Sequence, residues 1–204
     1  RRLVLPLQEM GADLECTDAG TLPLRIRGGQ RLTGITYSMP VASAQLKSCL
    51  LLAGLYAHGN TTIIEPAVTR DHTERLLPGF GCNIIRTSNR VTLVPGDLTG
   101  TTVQVPGDIS SAAFFLVAAS ICPGSDILLE NIGINPTRHA VIEILQMMGA
   151  DLQVEPASLT SIEPVANIRV RYRPLTGIEI PSHLVPIAID EIPAILIAAA
   201  TAQG

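Results

Sequence analysis

Three short stretches combine side chains that could hold an anion and move a proton. Ala42-Ser43-Ala44-Gln45-Leu46-Lys47-Ser48 places a hydroxyl, an amide and an ammonium in an otherwise apolar run. Gly107-Asp108-Ile109-Ser110-Ser111 and Ile189-Asp190-Glu191-Ile192-Pro193 supply carboxylates and hydroxyls. Each stretch opens a long apolar segment with helical character. The polar groups would therefore sit at helix N-termini, where unpaired N–H groups and the helix dipole favour negative charge. A carboxylate in such a place could also take the proton of a hydroxyl held against it. Capping is the simpler alternative: Asp108 suits an N-cap, Pro193 a first helical turn, and Asp71-His72-Thr73-Glu74 a capping box. It leaves three residues over, namely Gln45, Lys47 and Glu191, the second carboxylate beside Asp190.

The elements that position these stretches are legible from a repeat. Met10-Gly11-Ala12-Asp13-Leu14 returns as Phe80-Gly81-Cys82-Asn83-Ile84 and again as Met148-Gly149-Ala150-Asp151-Leu152, 70 and then 68 residues apart. Leu-Thr-Gly recurs at 32–34, 98–100 and 175–177, and a proline before an apolar run recurs at Pro40, Pro106 and Pro181. The pattern predicts five elements per unit, in the order helix, strand, strand, helix, strand. A first helix ends at the glycine, where a positive φ costs little. An alternating strand follows, as in Leu22–Ile26 or Ile168–Tyr172. Leu-Thr-Gly turns into a second strand, Ile35–Met39 or Thr102–Val105. Then come the apolar helices Ala42–His58, Ser110–Ile121 and Glu191–Ala202, and a last strand such as Thr61–Glu65 or Asp126–Glu130. Helices with no polar stripe must be covered on most sides, so they are expected to pack together inside with the sheets outside them.

Composition narrows the chemistry. Hydrophobic residues at 47% allow a substantial core, and charged residues at 16% suggest that much of the surface is covered by further chain or a partner. A net charge of −4, with no basic run, argues against nucleic acid as partner. The apolar runs fall short of the roughly 20 residues that a membrane span needs, and the first residues do not form a signal peptide. Cys16, Cys49, Cys82 and Cys122 lie far apart, which speaks against a metal site and fits a reduced, cytoplasmic setting. His58, His72, His139 and His183 are scattered, and phosphate-loop, dinucleotide and nucleophile-elbow motifs are missing. The first residue is not Met and the last follows a helix, so both ends read as cut.

Five motifs in one order carry a family resemblance: Pro40–Ser48 (Pro-x-Ala-Ser-Ala-Gln-x-Lys-Ser), 69–74 (Thr-Arg-Asp-His-Thr-Glu), 106–111 (Pro-Gly-Asp-x-Ser-Ser), 135–138 (Asn-Pro-Thr-Arg) and 189–193 (Ile-Asp-Glu-x-Pro). Together they resemble bacterial 5-enolpyruvylshikimate-3-phosphate synthases, and Ser-Ala-Gln resembles the class II subgroup. The resemblance runs the whole length and implies an internal fragment of such an enzyme. It implies an α/β fold of repeated helix-strand-strand-helix-strand units forming parts of two inside-out barrel domains. Residues 1–106 would belong to the upper domain and 107–204 to the lower. The implied reaction moves the enolpyruvyl group of phosphoenolpyruvate to the 5-hydroxyl of shikimate 3-phosphate, with no cofactor and no metal. By motif, Ser43, Ala44 (through its backbone), Gln45 and Arg70 would bind shikimate 3-phosphate. Asp190 would bind the ring hydroxyls and act as general base. Arg138 matches Arg70 in the repeat, but the resemblance supports only Arg70 as a ligand. The family's phosphoenolpyruvate-binding arginine and catalytic glutamate would lie outside residues 1–204, so the piece alone is expected to be inactive. UDP-N-acetylglucosamine enolpyruvyl transferase, a non-catalytic phosphosugar-binding module and a half-enzyme completed by another chain are the alternatives.

Overall fold

A computed structural model describes residues 2–157 and 162–204. The chain divides into two compact units, one ending at Thr102 and one beginning at Val103.

The first unit runs α1 (Val4–Glu9), β1 (Asp13–Glu15), β2 (Arg25–Arg27), β3 (Leu32–Thr33), β4 (Thr36–Ser38), α2 (Ala44–Gly54), β5 (Ala57–His58), β6 (Thr61–Ile64), α3 (His72–Gly79), β7 (Asn83–Thr87) and β8 (Arg90–Val94). Its main sheet has the order β4-β6-β8-β7, with β4 parallel to β6 and the other neighbours antiparallel. Val91 and Leu93 alternate inward from β8 and meet Leu46, Leu50 and Leu51 of α2 in one core.

The second unit runs α4 (Ile109–Ile121), β9 (Asp126–Gly133), α5 (Ala140–Met147), β10 (Asp151–Pro156), β11 (Val165–Arg171) and α6 (Ile192–Thr201). Its sheet has the order β10-β11-β9, antiparallel throughout. Ala166, Ile168 and Val170 of the central strand are fully buried against Ala113 and Leu116 of α4 and Ile144 and Leu145 of α5.

The three repeat glycines perform the task expected of them. Gly11, Gly81 and Gly149 have φ of 95°, 84° and 87°. Each donates its N–H to a carbonyl three residues back, and the next residue donates five residues back, a Schellman closure repeated three times. The threonine of each Leu-Thr-Gly then donates to the carbonyl just before that glycine: Thr33 to Met10, Thr99 to Phe80 and Thr176 to Met148, at 2.8, 2.8 and 2.9 Å.

Several expectations need correction. Each glycine leads directly into a strand that pairs with the next, β1 with β2, β7 with β8 and β10 with β11. The sequence reading supplied only one strand there, because the chain reverses within the glycine turn and leaves no loop to mark the boundary. The pairing in the first hairpin starts at Arg25 rather than Leu22, in register with Glu15. Thr102–Val105 forms no strand; the next backbone pairing comes at Gly107, which bridges Ile132 in parallel fashion. The helix expected to reach His58 stops at Gly54, since Ala57 and His58 form β5 beside β3. The described residues cover one face of the apolar helices rather than most sides. Sheet and helix neighbours bury Ala112, Ala113, Leu116 and Val117 of α4 and Ala194, Ile195 and Ala198 of α6. Phe114, Phe115, Leu196 and Ile197 are more than half exposed on the other face.

Candidate functional site

Ser43 caps α2 in extended conformation (φ −154°, ψ 106°), and its hydroxyl accepts the N–H of Leu46 at 3.3 Å. The capped end is closed on one side only: Ser43 is buried, Ala44 half-buried and Gln45 exposed. A guanidinium nitrogen of Arg2 lies 3.5 Å from the same hydroxyl. This contact escaped the sequence reading because nothing local to Arg2 signals it. The cap therefore gathers a hydroxyl, an amide and a cation at the positive end of an eleven-residue helix, an arrangement suited to an anionic group.

Lys47, one turn further on, is 1% exposed. Its ammonium lies 3.0 and 3.1 Å from the two Glu65 oxygens and 2.6 Å from Glu74 Oε1, with both carboxylates also buried. The Glu65 contact meets hydrogen-bond geometry, while the Glu74 contact is an ion pair whose angle does not. Thr69 donates its hydroxyl to Glu65, and the hydroxyls of Ser48 and Thr73 pair at 2.7 Å. The Ser-Ala-Gln-x-Lys-Ser stretch and the Thr-Arg-Asp-His-Thr-Glu stretch are thus stitched together side by side. Arg70 lies half-buried in the second of them.

This arrangement overturns the capping box at the start of α3. Asp71 makes no side-chain cap bond; its carboxylate takes the Nε of Arg75 and an Nη of Arg86, each at 2.8 Å. Glu74 turns inward to Lys47 instead, because a buried ammonium needs an anion and leaving it unpaired would cost more than one lost cap bond. Sequence reading missed Glu65 and Glu74 for that reason. The available signal was Lys47 itself, a cation in an apolar helix that had to be paired somewhere.

In the second unit Asp108 is the cap that its position suggests, accepting the N–H groups of Ser110 and Ser111 at 3.3 Å each. Asp190 is exposed, one residue before the position capping α6. Its neighbour Glu191 is only 3% exposed and accepts the hydroxyl of Ser110. Arg138 donates to that hydroxyl and lies 3.4 Å from Asp108 and 3.9 Å from Glu191. The two adjacent carboxylates thus differ: Glu191 is buried and joins the starts of α4 and α6, and Asp190 is exposed. Arg138 is held in this network by Ser110, Asp108 and Glu191.

Burial pushes the Cys49 and Cys82 thiols above their ordinary value, so neither is poised as a nucleophile. Among the described residues no cluster of three His, Cys, Asp or Glu could hold a metal, and no helix is long and apolar enough to cross a membrane.

Residues 1–204 match the family of EPSP synthase (3-phosphoshikimate 1-carboxyvinyltransferase) from end to end. The chain belongs to the EPSP synthase family. It is 60% identical to a 3-phosphoshikimate 1-carboxyvinyltransferase of Methylococcus capsulatus over 205 aligned residues, covering all of this chain and 47% of that protein. It superposes on an EPSP synthase of Acinetobacter baumannii with a TM-score of 0.91 at 54% identity, covering 100% of this chain and 46% of that one. The enolpyruvyl transferase NikO of Streptomyces tendae has a TM-score of 0.73 at 17% identity, with coverage of 100% and 49%, which shows a shared fold. The chain spans about half the length of the curated relatives it matches. The expected family and its inside-out α/β fold are therefore both correct.

Proposed function

We propose that this chain supplies the shikimate 3-phosphate part of a 3-phosphoshikimate 1-carboxyvinyltransferase, working in the cytoplasm together with the other half of the protein. The observation that carries the reading is the family match over all 204 residues, in which the Ser-Ala-Gln stretch opens a capped helix. Residues up to 106 would serve the upper domain and those from 107 the lower. Ser43, the backbone of Ala44, Gln45 and Arg70 would bind the phosphorylated substrate, with helix N–H groups and a guanidinium offsetting its charge. Gln45 would also lie near phosphoenolpyruvate. Asp190, exposed at the entry to α6, would accept hydrogen bonds from the ring hydroxyls and take the proton of the 5-hydroxyl as its oxygen attacks C2 of phosphoenolpyruvate. C3 of phosphoenolpyruvate takes up a proton in that addition, and loss of phosphate from C2 with a proton from the new C3 methyl group then forms the enol ether, with no cofactor required.

The test is a phosphate-release assay on the full-length protein, with shikimate 3-phosphate and then UDP-N-acetylglucosamine as acceptor. Turnover is expected with the first acceptor and not the second. Asp190→Ala should lower it about 10²- to 10⁴-fold, the usual contribution of a general base. The isolated 204-residue chain should release no phosphate. Turnover with the nucleotide sugar would favour the rival transferase, no turnover with either acceptor would leave a binding module, and unchanged turnover in the Asp190 variant would remove Asp190 as the general base.

A further inference from the structure

The buried Lys47 cluster has no part in the chemistry proposed above, yet it joins the two motifs that would bind the phosphorylated substrate. Lys47 belongs to the helix capped by Ser43. Its partners Glu65 and Glu74 stand on either side of the 66–73 segment, which contains Arg70. Within that segment, Thr69 is tied to Glu65, and Asp71 is tied to Arg75 and Arg86. Ser48 and Thr73 add a second stitch beside the ammonium. Arg70 is therefore flanked on both sides by residues whose side chains are anchored, one of them directly to the Lys47 cluster.

A buried ion cluster is a poor device for stability alone, since apolar side chains of similar volume commonly do as well. What it supplies is register: two carboxylates on one ammonium fix α2, the end of β6 and the start of α3 relative to one another. We propose that Lys47, through Glu65, Glu74 and Thr69, is a positioning residue that sets Arg70 against the Ser43–Gln45 cap for one phosphorylated ligand. The inference rests on the functional reading given above and assigns no contact with substrate to Lys47 itself.

The experiment measures separate KM values for shikimate 3-phosphate and phosphoenolpyruvate in the full-length protein carrying Thr69→Val or Lys47→Met. Thr69→Val removes the hydroxyl that holds the Arg70 segment to Glu65 and leaves the ion cluster in the core intact. Both variants should raise KM for shikimate 3-phosphate by about ten- to hundredfold, the equivalent of one hydrogen bond to a charged group. KM for phosphoenolpyruvate should move by less than about threefold, and kcat at saturation should hold within a similar factor. A general loss of structure would move all three constants together. Should Lys47→Met fail to fold, Thr69→Val decides. An unchanged KM for shikimate 3-phosphate in folded Thr69→Val, or a parallel rise in both KM values, overturns the inference. If the unaltered protein does not turn over shikimate 3-phosphate, the functional reading fails first.

Discussion

Replacing Lys47 by Met should destabilise the first unit far more than the loss of a surface cation would. At an effective dielectric of about 20, unit charges 2.6 to 3.0 Å apart attract by roughly 5 to 6 kcal/mol, and Lys47 makes two such contacts. Much of that attraction offsets the cost of burying the three charges. What the substitution exposes is the uncompensated part: two carboxylates, both nearly inaccessible, with no cation between them. Loss of one member of a buried pair costs about 3 to 5 kcal/mol. Hydrogen exchange of the full-length protein reads this locally, because amides of α2 and β6 open with the unit that contains them. Their protection should fall by about 10² to 10³ or more, while amides of β11 in the second unit keep theirs. The triple change Lys47→Met, Glu65→Gln and Glu74→Gln removes the charge imbalance, and should recover most of the loss, to within about 2 kcal/mol of the starting protein. If Lys47→Met lowers protection less than about tenfold, the cluster is better solvated than its burial implies and the electrostatic reasoning is wrong. If the triple variant is no better than the single one, the cost lies in packing rather than charge.

Gly34 should resist any side chain, since a Cβ there would meet the carbonyl oxygens of Gly59 and Asn60 at 2.3 Å, both of them backbone. Gly34→Ala is expected to cost about 3 kcal/mol or more in urea denaturation, whereas Gly96→Ala, with nothing within 4 Å, should be neutral or slightly stabilising. Asp126 accepts both Nε and Nη2 of Arg169 at 2.7 Å, and these contacts with Arg171 nearby hold its carboxyl at about 2, below its ordinary 3.8. Its folded pKa is depressed, so its contribution to stability is present above pH 3.8 and is lost as pH falls through about 2. The denaturation midpoints of the unaltered and Asp126→Asn proteins should therefore converge across that window, and a gap independent of pH would refute the assignment.

The sequence announced its helices better than its strands, for a physical reason. Runs such as Ala112–Val117 and Ile195–Ala200 are apolar and opened by a capping aspartate in one case and a first-turn proline in the other, and the observed α4 and α6 match the expected spans within one residue at either end. Strands β1 and β7 begin almost at a glycine turn and are three and five residues long, so no composition change marks them. Exposure was misjudged for the opposite reason. An apolar run shows that a helix can be buried but not which face has a neighbour, and Phe114 and Leu196 stay more than half exposed among the described residues. At the candidate site, residue types were readable and pairings were not. Lys47 stood out, but nothing in the order of residues says that its partners lie 18 and 27 positions away.

The repeat also carries a distinction between period and phase. Markers 68 to 70 residues apart suggest a unit that starts with the helix before the glycine. The folded pattern has the same period but another starting point. Strand β4, helix α2, strand β6, helix α3 and the hairpin β7–β8 recur as the Gly107 bridge, α4, β9, α5 and the hairpin β10–β11, with the same parallel and antiparallel pairings. The middle sequence repeat is accordingly shared: α3, β7 and β8 lie in the first unit, α4 and β9 in the second. A periodic sequence cannot show where one copy closes, because each junction recurs as often as any other; only long-range pairing decides it. Both copies then fasten the start of the apolar helix to the segment after the following strand, and they do so with opposite polarity. In the first the cation comes from the helix, as Lys47 reaching Glu65 and Glu74; in the second it comes from the segment, as Arg138 reaching Asp108 and Ser110. The repeat thus preserves the staple and not the place of its cation, since what the junction needs is a pair of opposite charges across it, whichever side supplies which.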